Sequence, residues 1–309
     1  MSTPSGGSPT PHVEALIVSY DTRELLRQTI ATLLENIPPA AVATLTIAVF
    51  DNASGDGSGE MIAREFPAVR LVRSDRNLGF AAANNRLAET STATHLLLLN
   101  PDVIVAEDLV APLLSALAAD PTAAVAGPRL TSLDGAPQYS SERFPTLRFE
   151  LARALRGTKA GLALRPIFNP DEVIATAREH ALLESRAPRH AEFLWATCWL
   201  IAREHVAVHG LFDERYVIYD EDLDFCHRLR RRGLTAVFVP SVHLVHLGGA
   251  SSTTAAKEAM MQRGRERYFR DHRGPLSALT YRFALVPLTS LKHTNRRLWP
   301  GGRGRGVRQ

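Results

Sequence analysis

Only two cysteines occur in this chain of 309 residues, Cys198 and Cys226, and they stand far apart without a CxxC partner. That argues against a disulfide framework or a cysteine-built zinc cluster and fits a reducing cytoplasm. Two glycine signatures are missing as well. The turn after the first apolar run reads VSYDTREL, with no glycine where a GxGxxG dinucleotide cradle would need them, and no GxxxxGK phosphate loop occurs anywhere. Neither an NAD enzyme nor a P-loop NTPase is therefore favoured. The leader MSTPSGGSPTP lacks an apolar core and a basic start, so residues 1–11 read as a disordered segment and not as a signal peptide. The C-terminal apolar stretch Leu276 to Leu291 is interrupted by Arg282 and Pro287, which leaves it too short to span a bilayer. No internal repeat is visible.

What remains is an ordinary globular composition, 45% hydrophobic with a net charge of +4, enough for one large α/β domain or two small ones. Val13 to Tyr20 reads as a buried strand. Asp21 with Glu24 offers a capping box, and Leu26, Ile30 and Leu34 recur at helical spacing until Pro38 and Pro39. Strands at 45–50, Val69–Val72 and 95–99 alternate with helices near 58–66, 80–89 and Leu109–Ala119, the pattern of a parallel sheet covered by helices on both faces. After Gly127 the regularity weakens. Residues 128–190, with a basic stretch at Arg148 to Arg165, read as an irregular insertion facing a variable partner. Order returns with the apolar run Phe193–Ile201, a helix near 204–209, a strand at Ala236–Val239 and a helix from Ala255 to about His272.

Chemistry gathers at four places. The run Leu45–Phe50 ends in DNASGDGS, and HLLLLNPD repeats the arrangement, so two strands deliver Asp51 and Asp102 to one rim, where open α/β sheets bind ligands. An edge carboxylate can accept a hydrogen bond from a pyrimidine N3, and another can hold a divalent cation against a diphosphate. The same residues are also ordinary turn chemistry, the safer reading of either motif alone. In YDEDLDFCHRLRRRG, Asp224 with Arg228 and the closing Gly233 are plain helix design, whereas Asp220, Glu221 and Asp222 exceed what a helix dipole needs. A carboxylate held ionised at that helix end would suit a general base. His243 and His246, followed by Gly248 and Gly249, are either packed histidines or part of a metal site whose glycines admit a diphosphate.

Together these segments resemble the family-2 inverting glycosyltransferases of the GT-A fold, in particular their bacterial rhamnosyltransferase-like branch. The likeness runs through VSYD at 18–21, DNASGDGS at 51–58, RNLGFAAANN at 76–85, LLNPDV at 98–103, GLFDERYVIYDEDLDFCHRLRRRG at 210–233 and HLVHLGGAS at 243–251. The resemblance implies a Rossmann-like, mostly parallel central sheet flanked by helices, with an acceptor-side extension and C-terminal helices. It divides the chain into a nucleotide-sugar-binding half at 12–128, an acceptor-binding and catalytic half at 129–274, and a basic tail at 275–309. Val18, Ser19 and Tyr20 would line the base pocket, Asp51 would contact the pyrimidine, and Asn77, Gly79 and Asn84 would lie along the nucleotide and sugar. Asn100 and Asp102 match the first and last positions of the family's metal-binding DXD, and His246 its later histidine ligand. Asp222 matches the catalytic base, with Glu221 beside it. Two departures stand out: Asn100 replaces the first acidic residue, and Ala196 in WATCWLIAR replaces a usual glycine, so that Trp195, Trp199 and Asp220 become candidates for shaping the acceptor side.

The activity implied is transfer of a sugar from a nucleotide diphosphate donor, with Mg²⁺ or Mn²⁺, to a glycan or polyprenyl-linked acceptor in cell-envelope polysaccharide synthesis. The branch favours dTDP-rhamnose, with UDP-galactofuranose, a UDP-hexose or a non-catalytic sugar-nucleotide-binding module as alternatives. From Pro275 onward the sequence has no acidic residue and carries Lys292, Arg296, Arg297, Arg303, Arg305 and Arg308, which suits either an anionic membrane surface or a packed helix with a solvated basic end. A cytoplasmic protein, peripheral at the inner face of the membrane, is the expectation. No aromatic stacking platform accompanies the arginines, so nucleic acid is not an expected partner.

Overall fold

The computed structural model describes residues 10–37, 43–171, 173, 186–248 and 254–289. By internal contacts the chain divides into two compact units, one built from the chain up to Arg143 with His180–Gly264, the other from Phe144–Glu179 with Arg265 onward.

The first unit is built on one sheet. Its elements run β1 (His12–Ser19), α1 (Arg23–Asn36), β2 (Thr44–Asp51), α2 (Ser58–Glu65), β3 (Arg70–Arg73), α3 (Phe80–Glu89), β4 (His95–Leu99), β5 (Val103–Val105), α4 (Val110–Ala119) and β6 (Ala123–Thr131). Strands β1 to β4 are parallel and alternate with helices, as the sequence pattern requires. β1 sits centrally and is buried along nearly its whole length, which explains its continuous apolar run. Ile17, Val49, Leu97 and Leu99 join Leu26, Ile30, Leu33 and Leu113 in one core. Helix α1 turns Leu33 inward and leaves Leu34 53% exposed, so the apolar stripe runs through 33 and not 34. Nor does Asp21 cap it: Thr22 holds the N-cap position without a side-chain bond, and the carboxylate of Asp56 accepts from the Arg23 N–H at 2.8 Å.

The second half of the sheet is mixed. After the short strands β7 (Pro137–Gln138) and β8 (Ser141–Glu142) come helices α5 (Leu147–Leu155) and α6 (Lys159–Leu164), then β9 (Arg189–Ala191), β10 (Phe193–Leu194), β11 (Cys198–Ala202), α7 (Arg203–His209), α8 (Glu221–Arg230), β12 (Thr235–His246) and α9 (Thr254–Arg273). The sheet order is β3-β2-β1-β4-β11-β6-β12-β5, with β11 antiparallel to both β4 and β6, and β12 parallel to β6. Two reversals restore the original direction, so the end of β12 points to the same edge as the ends of β1, β2 and β4. β12 is far longer than Ala236–Val239 because the strand continues past Pro240 through a register shift between Val239 and His243.

The region 128–190 is more regular than expected. β6 extends through Gly127 and Pro128 to Thr131, and two helices follow. Three arginines of the basic stretch are engaged in ion pairs: Arg153 with the buried Glu150, and Arg156 and Arg165 both with Asp171. These helices belong to the second unit. That unit also contains the later part of α9 and a last helical segment, α10 (Pro275–Thr280), which passes through a π-turn at Tyr281–Leu285. Phe269, Ala278, Tyr281 and Leu285 form its core. Among the described residues no helix is long and apolar enough to cross a membrane.

Candidate active site

The carboxyl edge of β1 and β2 is assembled by direct pairing. Ser19 and Asp51 are register partners, and the chain then splays into two loops that are tied together. Ser54 Oγ accepts from the Asp21 N–H at 3.1 Å, Asp21 Oδ1 from the Gly55 N–H at 2.7 Å, and Asp56 Oδ2 from the Arg23 N–H. Asp51 is 7% exposed, and its Oδ1 accepts from the Ser54 N–H at 3.0 Å. Gly59 lets α2 close on that carboxylate, since a Cβ there would lie 2.6 Å from Oδ2. Val18 and Ser19 are buried at the strand end, and Tyr20 is 39% exposed. The next residue, Asn52, is a hub that sequence reasoning missed: its amide donates to Asn77 Oδ1 at 3.0 Å and the Gly79 carbonyl at 3.3 Å, and its Oδ1 accepts from the Leu78 N–H at 2.7 Å. Asn77 and Gly79 therefore stand beside Asp51. Asn84 is buried and donates to the Phe80 carbonyl within its own helix, so its observed bond is local.

Asp102 and His246 meet at the edge reached by β12, with His246 Nε2 3.5 Å from Asp102 Oδ2. Thr29 on α1 fixes the Asn100–Asp102 turn, its hydroxyl lying 2.9 Å from the Pro101 carbonyl and 2.7 Å from that of Val103. Gln138, brought in by the pairing of β7 with β6, orients the imidazole. Its Nε2 donates to the His246 carbonyl at 2.8 Å, which turns Oε1 toward Nδ1, also at 2.8 Å. Nδ1 is then the donor, which in the neutral imidazole leaves the Nε2 lone pair on the side of Asp102. Two electron-rich groups facing each other, with Asp102 Oδ1 buried and unpartnered, make a fitting place for a divalent cation. No group of three or more His, Cys, Asp or Glu side chains gathers among the described residues, so the remaining ligands of such an ion would be substrate oxygens and water. His243 is not part of this pair. Strand periodicity puts residues three apart on opposite faces, and His243 is exposed beside Glu107. Gly248 is described, with φ 70°; Gly249 lies outside the described residues.

The acidic segment lies one residue pair away from Asn100. The Asn100 N–H donates to the Thr197 carbonyl at 2.9 Å, and the adjoining Ala196 N–H donates to Asp222 Oδ2 at 3.2 Å. Asp222 Oδ1 accepts from the Leu223 N–H at 2.8 Å. Burial, and then the neighbouring Asp222 and Asp220 charges, push Glu221 well above the usual carboxylate range. This surrounding disfavours the charged form of Glu221. Asp224 and Arg228 form the expected i,i+4 bond at 2.7 Å, and Gly233 ends the helix at φ 78°.

Tyr219 and Asp220 precede this helix with φ of 71° and 66°, strained values for non-glycine residues that typically cost about 1–3 kcal/mol each. Glycines grip the strained stretch at two points. A Cβ on Gly79 would lie 2.4 Å from the Val217 carbonyl oxygen, and one on Gly264 of α9 would lie 2.6 Å from that of Tyr219. A Cβ on Gly264 would also lie 3.3 Å from Asp220 Oδ2, so this carboxylate, 6% exposed, faces α9. Trp199 does not line an acceptor cleft: it is fully buried and packs its indole against Phe212 and Phe225. Trp195 is half-buried at the edge, its backbone N–H donating to the Ser140 carbonyl at 3.0 Å.

The glycosyl transferase family 2 profile matches residues 15–206. The chain is 28% identical over 250 residues to an N-acetylglucosaminyl-diphospho-decaprenol L-rhamnosyltransferase of Mycobacterium tuberculosis, covering 77% of this chain and 73% of that one. Solved structures with the same fold include GalNAc-T7 with UDP, GalNAc and Mn²⁺ (TM-score 0.59, 17% identity), of which the alignment covers 55%, against 93% of this chain. Another is the mannosyltransferase PcManGT from Pyrobaculum calidifontis with GDP-Man and Mn²⁺ (TM-score 0.56, 16% identity, 93% of this chain and 75% of that one). The profile takes in the Ser19–Asp51 edge, the Asn52 hub, Asp102 and the Ala196 segment that touches Asp222, and its reach over well above half the sequence settles the assignment: the chain belongs to glycosyl transferase family 2 and is a glycosyltransferase.

Proposed function

We propose that this glycosyltransferase is metal-dependent and inverting, and that it moves rhamnose from dTDP-rhamnose to a hydroxyl of a polyprenyl-diphosphate-linked glycan in cell-envelope synthesis. The observation that carries the reading is a pair of hydrogen bonds, Asn100 N–H to the Thr197 carbonyl and the adjoining Ala196 N–H to Asp222, which tie the turn carrying Asp102, itself 3.5 Å from His246, to the segment that holds Asp222. Val18, Ser19, Tyr20 and Asp51 would hold the thymine, with Asn77, Gly79 and Asn84 along the nucleotide and sugar. Asp222 takes the acceptor hydroxyl proton while the oxygen bonds to the anomeric carbon and the bond to the diphosphate breaks, which inverts the configuration. Mg²⁺ or Mn²⁺ on Asp102 and His246 would neutralise charge on the departing diphosphate. The acceptor class is supported by the decaprenol-linked acceptor that the mycobacterial relative's name carries, and the acceptor side would be shaped by Trp195. Such an acceptor is presented at the inner face of the cell membrane, where the basic C-terminal sequence suits anionic lipid.

The test is transfer from dTDP-rhamnose, UDP-galactofuranose and UDP-hexoses, with Mn²⁺, to a synthetic polyprenyl-diphospho-N-acetylglucosamine. Rhamnosyl product of inverted anomeric configuration is expected, and transfer from a UDP sugar alone would reassign the donor. Asp222→Asn should lower kcat by about 10²–10⁴ with donor affinity kept. Near-normal turnover of that variant would place the base elsewhere, and no turnover of any donor, even by hydrolysis, would favour a non-catalytic sugar-nucleotide-binding module.

A further inference from the structure

The last helical segment of the second unit is apolar on two opposite faces, and only one of them is used inside the protein. Between Pro275 and Thr289 the sole charged residue is Arg282. Ala278, Tyr281 and Leu285 point into the core formed with Phe269, at a spacing of three and four residues. The other stripe, Leu276, Leu279 and Phe283, follows the same spacing on the far side and is 76%, 51% and 69% exposed. Three large apolar side chains in line on one helix face are not the scattered surface residues that any protein carries. Their surroundings are basic: Arg273 and Arg282 are exposed, and the sequence after Asp271 contains no acidic residue. The neighbouring acidic groups are already engaged, Glu266 with Arg270 and Arg282, and Asp271 with Arg267.

We infer that the Leu276–Leu279–Phe283 face docks the second unit onto an anionic phospholipid surface, lying in the interface while the Ala278–Tyr281–Leu285 face holds it to its own core. A packed helix and a membrane-binding helix are thus the same element seen from two sides. Apolar side chains in the acyl boundary with cations at headgroup level is the arrangement of an interfacial helix, and the segment is too short to span. The inference makes the membrane partner of the proposed function specific, yet its test needs neither donor nor turnover.

Full-length protein is sedimented with vesicles of phosphatidylcholine alone or mixed with phosphatidylglycerol. Binding to the anionic vesicles is expected, weakened at least tenfold in Leu276→Ser/Leu279→Ser/Phe283→Ser. Asp222→Asn, which removes only the proposed base, is expected to bind as the parent does. Because the three side chains are exposed, the triple variant should keep the parent's melting temperature. Equal binding of parent and triple variant would overturn the inference in favour of purely electrostatic attachment by the basic end. A parent that is dimeric and a variant that is monomeric, with vesicle binding unchanged, would give the stripe to a second copy of this chain. A parent that stays in the supernatant would also refute it.

Discussion

Replacing Gly264 with alanine adds one methyl group on the first-unit part of helix α9, outside the family profile, yet it should cripple turnover. The new Cβ would sit 2.6 Å from the Tyr219 carbonyl oxygen where ordinary contact begins at 3.4 Å, so about 0.8 Å of displacement is demanded of backbone. The oxygen belongs to a residue held at φ 71°, with Asp220 at 66°, three and two residues before Asp222. Little slack exists in such a turn. Overpacking of this kind costs about 1–3 kcal/mol, and a shift near 1 Å at a reacting group can cost about 10²-fold in rate. The melting temperature should fall by several degrees, and kcat by about one to two orders of magnitude at saturating donor. Donor affinity, read by titration of dTDP-rhamnose against intrinsic fluorescence, should change little, because Asp51 and Asn52 lie on other elements. A variant with parental stability and turnover would refute the argument that α9 locks the turn before the base. A variant whose loss lies in donor affinity would show that the turn serves the nucleotide.

Three further outcomes follow from the polar groups of the site. Mn²⁺ should raise the melting temperature of the parent, since a ligand at 100 times its Kd stabilises by about 2.7 kcal/mol, and His246→Ala or Asp102→Asn should abolish the shift. Gln138→Leu should weaken Mn²⁺ binding about 10–100-fold by releasing the imidazole tautomer; calorimetric titration giving parental affinity would sink the tautomer argument. Glu221 carries a raised pKa in the folded state, so the stability it contributes is present below the ordinary value of 4.5 and declines as pH climbs toward the folded value. Glu221→Gln removes that decline, and its melting temperature should gain on the parent's as pH rises above 4.5; a difference independent of pH would contradict the raised pKa of Glu221.

The sequence carried the first half of the fold almost element for element, because parallel strands buried on both faces are continuous apolar runs and the helices between them repeat at 3.6 residues. The later part was less legible, and two strands show why. β6 was unreadable since Gly127 and Pro128 interrupt a strand that is nonetheless buried, and the end of β12 was hidden by Pro240 at a bulge. In the site, the residues a local motif could mark were those at strand ends, Asp51 and Asp102. The residues that hold them had weaker signals or none. Asn52 adjoins Asp51 and could have been suspected, whereas Gln138 reaches His246 only through the β6–β7 pairing, 108 residues away in sequence. Trp199 was misplaced because an aromatic in a strand near a site looks the same in sequence whether it faces the core or the cleft.

The pattern of strain and support explains why the site's parts lie so far apart in the chain. The donor-side loops are held by hydrogen bonds to one another, from Asp21, Ser54, Asp56 and Asn52, and they need no distant element to keep their shape. The segment before the proposed base has the opposite character. Its positive-φ residues are held from outside: the Val217 carbonyl accepts from the Phe80 N–H at 2.9 Å, Gly79 closes on that carbonyl, and Gly264 closes on the next one but one. Gly79 is itself bonded through its carbonyl to Asn52, the residue beside Asp51. The geometry of the segment before the proposed base is thereby tied to contacts that begin at the Ser19–Asp51 edge. Strain of a few kcal/mol persists only where surrounding packing over-determines it. That packing includes the two glycine contacts and the Phe80–Val217 hydrogen bond, so single methyl groups at positions 79 and 264 would press directly on the strained segment and the residues leading into it.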